Sequence, residues 1–100
     1  MSKVINITDK LSLERPRIQI GDKSYEVDNS IETVFKFQEL SAQGGNEESM
    51  TKAITLAIGE EAANELNITQ MSIANYKVLT IAILAAMQEL EYEEIESTFR

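Results

Sequence analysis

The side chains here with chemistry to offer are almost all carboxylates: 17 Asp and Glu stand against 9 Lys and Arg, with no His and no Cys. That is a narrow kit. Without His or Cys there is no Ser-His-Asp or Cys-His nucleophile and no ordinary zinc ligand set. No side chain present has an unperturbed pKa near neutrality either. Acid–base work would have to come from paired carboxylates, and the adjacent pairs Glu60-Glu61 and Glu93-Glu94 fall in charged stretches where exposure is expected. A catalytic carboxylate needs a cleft that shifts its pKa. Calcium binding fails on pattern, because Asp22-x-Ser24-x-Glu26-x-Asp28 lacks the glycine and the closing glutamate of an EF-hand loop. Gly21, Gly44, Gly45 and Gly59 make no phosphate loop, and no Asp-Ser-Leu carrier attachment site occurs. No enzyme activity, cofactor or metal is therefore expected.

Charge narrows the partners. Residues 1–30 balance Lys3, Lys10, Arg15, Arg17 and Lys23 against Asp9, Glu14, Asp22, Glu26 and Asp28, so the net charge of −8 lies in residues 31–100. An acidic body repels phosphate backbones, and Arg15 with Arg17 is too small a basic patch to bind nucleic acid. The start, Met1 to Asp9, has too short an apolar run for a signal peptide. Val78 to Met87, interrupted only by Thr80, is half of the roughly 20 apolar residues that a membrane span needs. A cytoplasmic protein that binds neither nucleic acid nor membrane is the expectation.

One domain suits 100 residues. Residues 1–15 alternate weakly (Ile5, Ile7, Leu11, Leu13) and read as a loose arm or a short strand. Residues 16–27 read as a β-hairpin: Arg17 to Ile20, a Gly21-Asp22 turn, and Lys23 to Val27. An even-length loop puts Ile18, Ile20, Tyr25 and Val27 on one face, and a two-residue turn sets Arg17 opposite Glu26. A lone hairpin is marginal in water, so that face must lie on the helical part.

Residues 30–99 read as helical. Asp28-Asn29-Ser30 is a cap cluster, with Asn29 and Glu32 at capping-box spacing, and the first helix should stop before Gly44-Gly45. On a wheel of about 100° per residue its apolar side chains Ile31, Val34, Phe35, Phe37 and Leu40 cover about 220°, wider than a surface helix needs. Either this helix is sandwiched, or Phe37 and Leu40 belong to a docking surface. Asn46 caps a second helix with the stripe Met50, Ala53, Ile54, Ala57, edged by Ile58. Gly59 ends or kinks it, Glu60 to Leu66 forms a short helical piece, and Asn67 to Gln70 reads as a linker.

Ser72 caps the last long helix, placed at Ile73 to Leu90. Its seam is Tyr76, Leu79, Ile83, Met87 and Leu90, flanked by Ile73 and Leu84, and its back carries Val78, Ile81, Ala82, Ala85 and Ala86. A helix apolar nearly all round is a buried one. Either the other elements enclose it or a second subunit covers one side. In the acidic tail, Tyr92, Ile95 and Phe99 fall at i, i+3 and i+7, as one more amphipathic turn or two that either packs back or serves as an interaction end. The fold class is α+β, mostly α: an N-terminal β-hairpin packed on a small bundle of three to four helices.

This order of elements, with the segment Ile58-Gly59-Glu60-Glu61-Ala62-Ala63 and the helix start Met71-Ser72-Ile73-Ala74-Asn75-Tyr76, resembles the small tail assembly chaperones of long-tailed phages and prophages of Gram-positive bacteria. The similarity runs from about Arg17 to Phe99. It implies a non-enzymatic protein that binds the tape measure protein, keeps that long helical polypeptide soluble, helps recruit tail tube subunits and is absent from the finished virion. It also implies a longer form made by ribosomal frameshifting.

The residues suit that role independently, because a helper for an exposed apolar helix needs a charged exterior with apolar surface to offer. Phe35, Phe37, Leu40, Met50, Tyr92, Ile95 and Phe99 are the expected contact residues for a partner or for another subunit, with Met and aromatic side chains adapting to several helix registers. A homo-oligomer is compatible with this pattern. The rival is a small acidic adaptor, regulator or inhibitor, dimeric through the alanine-backed helix.

Overall fold

The computed structural model describes residues 3–11, 14–42 and 47–98. Leu13, the Gly44-Gly45 stop, the Asn46 cap and Phe99 lie outside the described residues. Two antiparallel strands, β1 (Arg17–Ile20) and β2 (Lys23–Glu26), precede five helices: α1 (Ile31–Ala42), α2 (Glu47–Ile58), α3 (Glu60–Leu66), α4 (Ile73–Gln88) and α5 (Tyr92–Thr98). The protein is α+β and mostly helical.

The hairpin has a two-residue loop, with Arg17 paired to Glu26 and Ile18 to Tyr25. Gly21 sits at φ +63° in the first central position, where a type II′ turn wants glycine. The Arg17 guanidinium donates to Glu26 Oε1 at 3.4 Å on the wet face. On the other face Ile18 and Val27 are buried and Tyr25 half-buried. Ile20 shares that face but is 43% exposed, because it ends β1 at the turn and reaches past the body. The strand exit is stitched to the helices: the Val27 N–H donates to Pro16 O at 2.9 Å, and the Asp28 N–H to Ala57 O at 2.8 Å.

The cap of α1 is shifted from the expected Asn29–Glu32 pair. Ser30 Oγ accepts from the Thr33 N–H at 3.3 Å. Asp28 accepts from the Ser30 N–H at 3.0 Å and from the Thr33 hydroxyl at 2.8 Å. Ser30 is the residue directly before the helix, so its hydroxyl reaches the third amide of the first turn, where a cap is most effective. That network also covers Thr33, whose hydroxyl would otherwise be a costly buried polar group.

The expected stripe of α2 is the observed one: Ala53, Ile54, Ala57 and Ile58 are buried and Met50 is half-buried. Gly59 ends α2 at φ +92°, ψ +156°, a region open almost only to glycine, and its own carbonyl accepts the first bond of α3 from Ala63 at 3.1 Å. The segment Asn67–Gln70 is more than a linker. It forms a 3-10 turn, Ile68–Gln70, and lodges Ile68 in the core. Asn67 makes this entry in the left-handed region, which asparagine tolerates better than most residues.

The Ser72 cap of α4 is present, its Oγ accepting from the Asn75 N–H at 3.1 Å. The helix is enclosed from Leu79 onward: Leu79, Ile81, Ile83, Leu84, Ala85 and Met87 are buried, whereas Ile73 is 76% and Val78 52% exposed. The expectation of all-round burial fails for the first turns, where Tyr76 alone of residues 73–78 is half-buried; the main packing partners of α4 are α5 and β1. The helix stops two residues earlier than expected. Glu89 turns left-handed, its N–H reaching Ala86 O and the Leu90 N–H reaching Ala85 O, the two bonds of a Schellman cap. The chain then bends by 116° into α5, where Glu94 accepts from the Glu91 N–H at 3.1 Å and Ile95 enters the core.

The core gathers side chains from every helix and from the hairpin, and Phe37, Ile54, Ile83 and Val27 are its largest fully enclosed members. Each contributes about 1.5–3 kcal/mol of burial. Among the described residues no single helix is long and apolar enough to cross a membrane.

Candidate docking cleft

The start of α2, the 3-10 turn and the start of α4 frame a cleft of about 300 Å³ lined by Glu47, Met50, Thr51, Ile68, Thr69, Met71, Ile73 and Tyr76. Local sequence puts them there. Met71 precedes the Ser72 cap and Tyr76 is the fourth helical residue, the spacing of a hydrophobic staple, and both pack against the core. Ile68 closes the floor from the turn, Met50 faces in from α2, and Ile73 stands exposed at the rim. Glu47 supplies a charge at the mouth. A shallower strip continues from Thr51 and Thr69 along α2 to Glu48, Lys52 and Thr55.

Two flexible thioethers, a tyrosine and two isoleucines make a surface that can reshape around apolar side chains. Burial raises the pKa of Tyr76 above the usual phenol value, so its ring stays neutral across the physiological range. Nothing in the lining is a nucleophile paired with a base. Its chemistry is apolar contact, supplemented by the Thr51, Thr69 and Tyr76 hydroxyls and the Glu47 carboxylate.

The seven residues expected to meet a partner divide. Met50 lies in the cleft. Phe35 is 66% exposed on α1, one turn from the equally bare Ile31, and the two form a separate apolar spot. Leu40 and Tyr92 are half-buried and pack against the core. Phe37 and Ile95 are core residues, and this corrects their assignment to a contact surface: Phe37 has no exposed area, because the side of α1 that carries it is pressed onto α2. Phe99 lies outside the described residues.

The cleft's other members escaped the sequence reading for identifiable reasons. Tyr76 lies on the periodic seam of a long helix and Ile73 on its flank, a pattern that predicts burial along the whole length. Ile68 sits between polar residues in a short connection. The usable signal is the pair Met71 and Tyr76 around a serine cap.

The polar clusters offer no competing site. The Lys23 ammonium donates to Glu65 Oε1, and the Tyr25 hydroxyl donates to the same oxygen at 3.2 Å, tying the hairpin to α3. The Lys23 hydrogen bond holds the Glu65 carboxyl below its ordinary range, and Glu65 in turn raises Lys23. All three groups stand in solvent-accessible positions, where such a pair works as a surface clasp. Glu60, Glu61, Glu93 and Glu94 are exposed. Among the described residues no three His, Cys, Asp or Glu side chains come together as a metal-binding group. No protein-family model matches the chain, and no curated protein or solved structure is significantly similar to it.

Proposed function

We propose that this protein is a non-enzymatic tail assembly chaperone that binds the tape measure protein and helps recruit tail tube subunits during phage tail morphogenesis. The observation that carries this is the methionine- and tyrosine-lined cleft between α2 and α4, set in a body whose charge is strongly acidic. A tape measure protein presents long apolar helix faces before it is coated. A cleft of this kind takes anchor side chains at i, i+3 or i+4 from such a face, while the surrounding carboxylates keep the complex in solution. The bare Ile31 and Phe35 on α1 add a second contact of the same chemistry.

The rival, a small acidic adaptor that dimerises through the alanine side of α4, draws less support. Ala85 is buried and Ala82 and Ala86 are packed on the chain's own core, so that side is already occupied.

The test is co-expression with a tape measure protein. The wild-type chain should bring it into the soluble fraction and co-purify with it. A variant with Met50→Gln and Ile73→Ser should lose most of this capture while keeping its own fold. Equal capture by the variant would move the binding site away from the cleft, and no capture by the wild type would end the proposal.

A further inference from the structure

Residues 3–11 precede the hairpin as a segment with one 3-10 turn, Thr8–Lys10, and every one of them is exposed. Val4, Ile5, Ile7 and Leu11 are 52–87% exposed. Such a density of bulky aliphatic side chains is not the composition of a solvated tail, which is ordinarily polar. The segment makes a local turn: Asn6 Oδ1 accepts from the Thr8 N–H at 3.0 Å and from the Thr8 hydroxyl at 2.7 Å. The protein is elongated, 60 × 31 × 25 Å with a radius of gyration of 15.5 Å, where a compact chain of this length has about 13 Å. None of the arm's four aliphatic side chains belongs to the core or packs against it.

The cleft is the arm's complement. Its lining is mostly apolar and includes Glu47, and residues 31–100, from which all of that lining comes, hold the whole net negative charge. The arm has Lys3 on one side of Ile5 and Ile7 and Lys10 on the other, with Asp9 as its single acid. Ile5 and Ile7 are 74% and 52% exposed and lie between the two lysines in sequence, so they are the side chains available to enter a cleft. We propose that the arm of one copy docks in the Met50–Ile73–Tyr76 cleft of a second copy, and that reciprocal exchange closes a two-fold dimer. A two-fold exchange fills both clefts and stops at two chains, which an open head-to-tail arrangement does not. The dimer stands independently of the chaperone proposal, although a tape measure helix using the same cleft would have to displace the arm.

A chain without cysteine makes the test direct. One protein carries Ile5→Cys, a second carries Ile73→Cys, and the two are mixed and treated with a short thiol–thiol crosslinker. A covalent heterodimer should form, several-fold more than from Ile5→Cys mixed with Asn64→Cys, whose cysteine would lie on the exposed side of α3. Light scattering should give twice the chain mass for the wild type and the single-chain mass after deletion of residues 2–11, with circular dichroism confirming an intact fold. A wild-type monomer overturns the proposal. So does a dimer that survives the deletion, or a mixture that crosslinks no better than the control.

Discussion

Phe35 and Phe37 stand two positions apart on α1 and have opposite surroundings. Phe37 is fully enclosed, so Phe37→Ala should cost about 3–5 kcal/mol. Phe35→Ser should stay within about 0.5 kcal/mol of wild type. Urea denaturation of the two variants reads the difference, and comparable losses would mean that Phe35 is covered in solution. Asp28 is one carboxylate through which pH reaches the fold. The Ser30 backbone N–H, then the Thr33 and Ser30 side chains, hold its pKa below the ordinary aspartate range, against the opposing effect of burial. A lowered folded pKa means that its stabilisation is complete above the unfolded value of about 3.9 and fades as pH falls through the lower folded one. Asp28→Asn should therefore melt lower than wild type at neutral pH, by about 1 kcal/mol as for a lost helix cap, with the gap narrowing in acid. Melting curves at several pH values would show it.

Gly59 separates two helices that would otherwise be one. A Cβ there would meet no atom within 4 Å, so the cost of Gly59→Ala is a backbone cost alone, about 1–3 kcal/mol. Glu89 is the converse case. It occupies the left-handed position of a Schellman cap at which glycine is usual, and Glu89→Gly should raise stability by up to about 1 kcal/mol. Thermal melts of both variants check the signs. The elements themselves were largely legible: the hairpin register, the α2 stripe, the Gly59 break and the Ser72 cap all follow from local rules of pairing, periodicity and capping. The cleft was legible in part. Met50 was visible as an adaptable side chain, but Phe37 looked like a contact residue, because a 220° arc on a wheel says how much of a helix is apolar and not which side faces a neighbour. Ile68, Ile73 and Tyr76 were missed because a helix pattern carries no mark of where the neighbouring elements stop. That is a property of tertiary packing.

The whole molecule combines a strongly acidic exterior with exposed apolar surface, of which the arm, the Ile31–Phe35 spot and the cleft are parts among the described residues. Charge keeps such a chain in solution, and the apolar sites give it something to hold. If arms exchange between copies, the native state gains from mass action. The melting temperature of the wild type should then rise with protein concentration, whereas that of a chain lacking residues 2–11 should not. A concentration series by calorimetry separates the two, and parallel behaviour would argue against exchange. The chain contains no tryptophan, which makes direct observation of the cleft simple. An amphipathic tape measure helix carrying one tryptophan on its apolar face should show a saturable blue shift when titrated with the wild-type protein. The Met50→Gln, Ile73→Ser variant should bind at least about tenfold more weakly, a loss of about 1.4 kcal/mol, with its fold retained. An unshifted spectrum with the wild type, or an identical titration with the variant, would contradict the account.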